Sequence, residues 1–420
     1  MEDVYEIGQL IKYHRKKMNL TLKQLGKMVG YSAAAISKIE AGKYNPPKHM
    51  LEAIQKALHI KELVYDKQHP VYVKLSAWQK EIAQNNIAES TEYYLQMQQY
   101  PVSFYTNYES VYLLQRFQHS LLCFHIEEAA SLVCHIQETA LRVPQQDAYH
   151  YNKSLAFFYV LQDQLKNAHI YLRVAKRSDK NIFEEDGAAH LYQAILYSKM
   201  ENYIDSNHHA SIAIKFFLES MNNENLLLSR IILIINDIPL GKTASAIPAL
   251  HKLLENNRNS IHTTFIQYIL SLAYLFENNY DASLKHSREA INKEDRKSLR
   301  VAYLYLRAFT YVLIGNKDNA NVYISGGLKL KQGKKYDYKF YILHHIVQQS
   351  YGEESFKQKM KKEIIRYYQQ TGDKAELDFC YVLLGKIHYD QQHYKQSADY
   401  FFQATSKHNI AKLLTMYPQK

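Results

Sequence analysis

Residues 20–47 read LTLKQLGKMVGYSAAAISKIEAGKYNPP, and the punctuation of this stretch decides how the first part of the chain folds. Thr21-Leu22-Lys23-Gln24 fits a capping box, in which the Thr hydroxyl takes an orphan backbone N–H and the Gln reaches back, so a helix is expected from Leu22. Leu22, Leu25, Met28 and Val29 recur at helical spacing, and Gly30 supplies the left-handed residue that ends such a helix. Ser32 caps a second helix in which Ile36 and Ile39 lie on one side and Gly42 closes it. On that helix Ala33 with Ser37, and Ala34 with Lys38, are i, i+4 neighbours facing away from the two isoleucines, so its outward face is small and polar. Pro46-Pro47 opens a further helix with Leu51, Ile54 and Leu58 pointing inward.

Gly8, Ile11, Arg15, Leu20-Thr21, Gln24-Leu25-Gly26, Gly30-Tyr31-Ser32, Ile36 through Gly42, Pro46-Pro47, Leu51, Ile54 and Leu58 together resemble the Xre/Cro-type helix-turn-helix, a domain expected to have five helices. The resemblance implies that the helix from Ser32 to about Ala41 enters the major groove of double-stranded promoter DNA. It places Ala33, Ala34 and Lys38 at base-facing positions, with Ser37 beside them. Two alanines can touch thymine methyls, and Lys38 can reach guanine acceptors. Ser32, Lys43 and Asn45 are the expected phosphate contacts, which set register without reading sequence. Leu22 stands where the family usually has a Gln.

The remaining composition points to a mostly helical protein. The 420 residues contain 13 Gly and 8 Pro, too few for turn-dense all-β folds or long flexible linkers. Charged residues make up 22% and hydrophobic ones 47%, a globular balance. The N-terminus MEDVYEIGQL lacks the features of a signal peptide and no long apolar run exists, so a cytoplasmic chain with no membrane association is expected. Cys123, Cys134 and Cys380 show no metal-ligand spacing and read as core thiols. The net charge of +11 suits a polyanionic partner. Residues 1–66 hold eleven Lys/Arg against seven acids, an excess that a solvated helical surface also explains.

Beyond residue 66 the texture changes to long helices rich in Tyr, Leu, Gln and Ala. Tyr381, Leu384, Gly385, His388, Tyr394, Ser397, Phe401 and Ala404 look like a tetratricopeptide (TPR) helical hairpin. Equivalents of Gly385 fall at Ala308, Ser271, Ala194 and Ala156, spaced 77, 37, 77 and 38 residues apart, each 77 being two units. Weaker units fit near Ile346, Ile234, Phe117 and Trp78. The expectation is all-α: residues 1–66 a DNA-binding domain, residues 67–420 a right-handed superhelix of about nine hairpins for peptide binding and dimerisation.

First helices of such an array line a groove suited to an extended peptide, whose backbone groups Asn and Gln can satisfy with a donor and an acceptor each. Candidate groove residues are Asn152, Gln193, Arg230, Asn236, Gln267, Tyr268 and Arg307. Gly241-Lys242-Thr243 ends like a P-loop, but Asn236 stands where its upstream Gly belongs and no strand precedes it. The His pairs lack a third ligand, and no catalytic constellation stands out, so neither a metal, a cofactor nor an enzyme is expected. Lys329, Lys331, Lys334, Lys335 and Lys339, with Lys357, Lys359, Lys361, Lys362 and Arg366, read as a solvated basic face.

A helix-turn-helix followed by nine such hairpins is similar to the Rap–Rgg–NprR–PlcR–PrgX (RRNPP) group of peptide-pheromone receptors of Gram-positive bacteria, and most like its NprR branch. Phage lysis–lysogeny receptors of the AimR type are a close alternative. The resemblance implies a homodimer or tetramer that binds palindromic promoter DNA and takes a short signalling peptide in the groove. A second implied role is a Rap-like scaffold that sequesters or dephosphorylates a response regulator of sporulation, with Gln79, Gln84 or Gln96 presented to a phosphoaspartate.

Overall fold

The computed structural model describes residues 2–60, 69–84, 86–99, 108–138, 145–258, 260–331 and 333–404, and these are helical with no strand among them. The first four helices are α1 (Glu2–Lys17), α2 (Leu22–Val29), α3 (Ala33–Glu40) and α4 (Lys48–Leu58). Five helices are expected of this domain, and its last residues, 61–66, lie outside the described residues. Leu10, Ile11, Leu25, Ile36, Ile39, Met50, Ile54 and Leu58 form one buried core. Two apolar residues stand differently from their expected places. Met28 is exposed, and Met50 is buried where Leu51 was expected to point, leaving Leu51 at the core margin.

Nine helical hairpins follow among the described residues. They are α5 (Pro70–Ala83) with α6 (Ile87–Gln98), α7 (Glu109–Leu122) with α8 (Ile126–Glu138), and α9 (Gln145–Leu161) with α10 (Leu165–Ser178). After the short α11 (Lys180–Glu185) come α12 (Gly187–Lys199) with α13 (Tyr203–Glu219), α14 (Asn223–Asp237) with α15 (Thr243–Asn256), and α16 (Thr263–Phe276) with α17 (Tyr280–Lys293). The last three pair α18 (Lys297–Ile314) with α19 (Lys317–Lys329), α20 (Lys334–Val347) with α21 (Glu354–Lys359) and α22 (Ile365–Thr371), and α23 (Lys374–Asp390) with α24 (Tyr394–Gln403). A π-helical turn, Met360–Ile364, joins α21 to α22. The chain divides into two compact units, one of residues 1–154 with 174–179, the other of 155–173 with 180–420.

Every position expected as the middle of a first helix lies in one. A finer rule emerges with them: twelve residues after each comes a small residue of the second helix, at Ser90, Ala129, Ala168, Ser206, Ala246, Ser283, Ala320 and Ser397, all buried. Where it is Ser, the hydroxyl can tie the two helices. Ser206 donates to the Ala194 carbonyl, and Ser397 to that of Gly385, both at 2.8 Å. At Gly385 a Cβ would lie 2.9 Å from the Phe401 ring, so the close approach itself requires glycine. The eighth hairpin departs from the rule. Gln358 stands twelve residues after Ile346 and is exposed, while Phe356 and Met360 are buried, the π turn absorbing the shift in register.

Candidate nucleic-acid interface and repeat interior

The presentation of α3 is built from local chemistry. Thr21 Oγ1 accepts from the Gln24 backbone N–H at 3.2 Å and Gln24 Oε1 accepts from the Thr21 N–H at 2.8 Å, completing the capping box that starts α2. Gly30 ends α2 at φ 78°, a conformation open to glycine without strain. Ser32 Oγ then accepts from the Ala35 N–H at 3.1 Å and starts α3. Ile36 and Ile39 are fully buried, whereas Ser32, Ala34, Ser37, Lys38, Lys43 and Asn45 are exposed and Ala33 is half-buried. The seven residues expected to meet DNA therefore lie on α3, its cap and the turn after it, and none is buried.

The far end of α3 is held by Arg15, a residue of the helix-turn-helix pattern that also enters the basic count of residues 1–66. Arg15 of α1 is buried and grips Glu40 with two parallel bonds, Nε to Oε1 at 2.6 Å and Nη2 to Oε2 at 2.8 Å. Its Nη1 also donates to the Leu20 carbonyl at 2.6 Å. The bidentate fork fixes α3 against α1 and removes Arg15 from the basic surface.

The repeat candidates separate into two sets. Asn236 is fully buried: its Nδ2 donates to Ser206 Oγ (2.8 Å) and Asn207 Oδ1 (2.7 Å), and its Oδ1 accepts from Ser198 (2.6 Å). Arg307 is also buried, donating to the Leu284 carbonyl and to Ser287 Oγ (3.1 Å) and lying 4.9 Å from the Tyr323 ring centroid. Both side chains serve the packing between helices, a correction to the reading that put them in a groove. Gln267 is paired through Oε1 with His286 Nδ1 at 2.6 Å, and Asn152 bonds back to its own helix at the Ala148 carbonyl. Arg230 is exposed on α14, Tyr268 stacks on Tyr303 at 4.9 Å, and the half-buried Gln193 carries an Oε1 with no hydrogen-bond partner.

A charged and aromatic cluster that sequence reasoning missed lies in the second unit. Lys335 Nζ sits 2.7 Å from Asp373 and 3.1 Å from Asp163, while Lys199 Nζ sits 2.6 Å from the other oxygen of Asp163. Lys339 pairs with Glu376 and lies 4.2 Å over the Tyr305 ring. Burial opposes the charge on Asp163, yet the Lys199 and Lys335 ammonium groups hold its carboxyl well below the usual range. Burial likewise opposes the charge on Lys335, and Asp163, Asp373 and Glu376 more than offset it. Lys335, Lys339 and Lys357, which pairs with Glu354 at 2.9 Å, thus leave the solvated basic face expected of them. The missed signal was the acids: Asp373 and Glu376 stand 38 and 37 residues from Lys335 and Lys339, and Asp163 stands 36 residues from Lys199 but 172 from Lys335, separations with no local pattern.

Among the described residues no group of three or more His, Cys, Asp or Glu is placed to hold a metal ion, and no helix is long and apolar enough to cross a membrane.

Comparison with known proteins places both regions. The Helix-turn-helix family HTH_3 matches residues 11–64. The transcriptional activator NprA of Geobacillus stearothermophilus is 21% identical over 389 residues, covering 88% of this chain and 95% of that protein. The structure of NprR in complex with its cognate peptide NprX superposes with a TM-score of 0.64 at 15% identity, over 80% of this chain and 98% of that one. A Rap protein complexed with competence and sporulation factor gives 0.64 at 15% identity, over 83% and 99%. A matched helix-turn-helix, a nine-hairpin body with the fold of the NprR and Rap structures and a likeness to NprA along most of its length together support an RRNPP-type regulator similar to NprR.

Proposed function

We propose that the chain is a peptide-responsive transcriptional regulator. Residues 1–66 bind promoter DNA through α3, and the repeats of residues 67–420 take a short signalling peptide that changes conformation or oligomeric state. The observation that carries this reading is α3 itself, whose apolar side is sealed by Ile36, Ile39 and the Arg15–Glu40 fork while Ala34, Ser37 and Lys38 are left to solvent. Such a helix has no internal use for its outer face. Base contact falls to Ala33, Ala34, Ser37 and Lys38, and phosphate contact to Ser32, Lys43 and Asn45. The relative solved with a bound peptide supports a peptide as the ligand of the repeats. Exposed Arg230 and the half-buried Tyr268 stack are the groove candidates that supply a cation and an aromatic surface for it, with half-buried Gln193 beside α13. A homodimer, or a tetramer, meets a palindromic operator.

Fluorescence anisotropy on the protein's own promoter fragment, with and without synthetic peptides from neighbouring small reading frames, tests the reading. Lys38→Ala combined with Ser37→Ala is expected to weaken operator binding by at least about tenfold, each base contact being worth ~1–3 kcal/mol. Unchanged affinity in that variant sinks the assignment of α3.

The likeness to a Rap protein favours a second reading, in which the repeats dock a response regulator. The same variant separates the two, since it leaves regulator capture intact while removing DNA binding.

A further inference from the structure

The second helix of hairpin eight, α21 through the π turn to α22, is the most basic stretch of the repeats. Residues 357–366 read KQKMKKEIIR, five basic residues with one acid. Part of that charge is occupied. Lys357 pairs with Glu354 and donates to Gln391 Oε1 at 3.2 Å, Lys359 lies 4.2 Å over the Tyr341 ring, and Glu363 neighbours Tyr338 and Tyr341. Lys361 and Arg366 differ: both are exposed, and among the described residues neither has a carboxylate within ion-pair distance. The two line a cleft of about 510 Å³ where α22 meets the last hairpin, together with Gln369, Tyr381, Gln396 and Gln403. Ile365 and Tyr400 add apolar surface, and Asp399 is the one acid of its lining.

We propose that this cleft binds an acidic peptide segment of a partner protein. A ligand carboxylate meets Lys361 and Arg366, and the amides of Gln369, Gln396 and Gln403, each with a donor and an acceptor, pair with the ligand backbone. The groups are held for this use. Lys361 Nζ lies 5.5 Å from the centroid of Tyr400, and that ring stacks on His388 at 5.4 Å, so the ammonium rests on a fixed aromatic surface. Gln369 Nε2 donates to the Tyr381 hydroxyl at 3.0 Å, which leaves Gln369 Oε1 and the tyrosine proton for a ligand. The volume is within the range of ligand sites, and the cleft opens beside a π turn, a feature frequent at functional sites. Asp399 favours a peptide over a nucleic-acid strand. A phosphate backbone carries charge past every wall residue, whereas a peptide can place one carboxylate at the two cations and an N–H at Asp399. Apart from Tyr381 the lining belongs to the second helices, so the cleft is separate from the groove expected along the first helices.

The probe is an array of acetylated pentapeptide amides, Gly at each end, whose central positions run over Ala, Leu, Gln, Asp and Glu. Full-length protein is expected to bind peptides with one Asp or Glu at least about tenfold more tightly than their Gln counterparts, read as Kd by fluorescence anisotropy. Lys361→Gln with Arg366→Gln is expected to erase that preference, and Asp399→Asn to raise the affinity of peptides that carry two acids. A preference that survives the loss of both cations belongs to the first-helix groove and overturns the proposal, as do acidic and Gln peptides bound alike by the wild-type chain. Circular dichroism reports whether each variant is folded, and Lys361→Gln alone replaces the pair if the pair unfolds. A duplex of unrelated sequence is titrated in the Ser37→Ala, Lys38→Ala background. Loss of its binding on removing the same two cations, with peptide binding unmoved, assigns the cleft to a nucleic-acid backbone and overturns the peptide.

Discussion

At the residue scale the sharpest division is between two cations of the helix-turn-helix. Arg15 and Lys38 carry the same charge, and only burial tells their work apart. Arg15→Ala leaves Glu40 buried without its partner and is expected to destabilise the domain by about 3–5 kcal/mol, whereas Lys38→Ala is expected to stay within about 0.5 kcal/mol of wild type. Urea denaturation of both variants checks this, with operator affinity falling in the second despite unchanged stability. In the sequence Arg15 and Glu40 stood in the helix-turn-helix pattern, but nothing in their spacing joined them. A bond across 25 residues between two helices has no local signature.

At the element scale the hairpins are held by a few recurring devices. The small residue twelve positions after the mid-helix site lets the two helices approach, and the left-handed residue seven positions after it turns the chain at Phe124, Asp163, Glu201, Asn278 and Gln392, with glycine at Gly241 and Gly315. Asn236 adds a buried polar junction joining α12, α13 and α14. Asn236→Ala takes the hydrogen-bond partner from the Ser198 hydroxyl and the Asn207 amide oxygen, while Ser206 keeps its bond to the Ala194 carbonyl, and is expected to cost about 2–3 kcal/mol, measured by thermal or urea unfolding. Ser32→Ala, which deletes the cap of α3, is expected to cost about 1 kcal/mol and to weaken DNA binding through the lost start of the helix.

At the scale of the whole molecule, mild acid should act through buried histidines. Burial, ahead of neighbouring His125, lowers His119 to about 4, and burial, ahead of Arg296, lowers His262 to about 4. Above about pH 7.5 both imidazoles are almost wholly neutral whether folded or not, so they contribute almost no pH dependence there. Below it the unfolded chain takes up protons that the folded chain refuses, and stability falls until about pH 4. At pH 5.5 each is expected to cost its unit about 1 kcal/mol relative to pH 7.5. Urea titrations at the two values check it, with His262→Gln removing its share of the slope. Asp163 behaves in the opposite sense: its depressed carboxyl keeps its contribution above about pH 4 and loses it only below.

The helix-turn-helix, its two caps, the small and polar outer face of α3 and the middle of every first helix in nine hairpins were legible in the sequence. Those features are local: a cap, a left-handed glycine or a helical stripe needs only near neighbours, and repetition multiplies a weak signal. Tertiary structure alone decided which polar side chains remain free. Asn236 and Arg307 read as groove groups and are spent on packing, the lysines at 335 and 339 read as solvated and are buried in ion pairs, and Asp163 gave no sign of itself. Whether a polar group meets solvent, a ligand or a counter-charge depends on what the chain brings to it from other helices, about 20 to 40 residues away for most of these groups and 172 for Asp163 with Lys335, and spacing along the sequence does not encode that meeting.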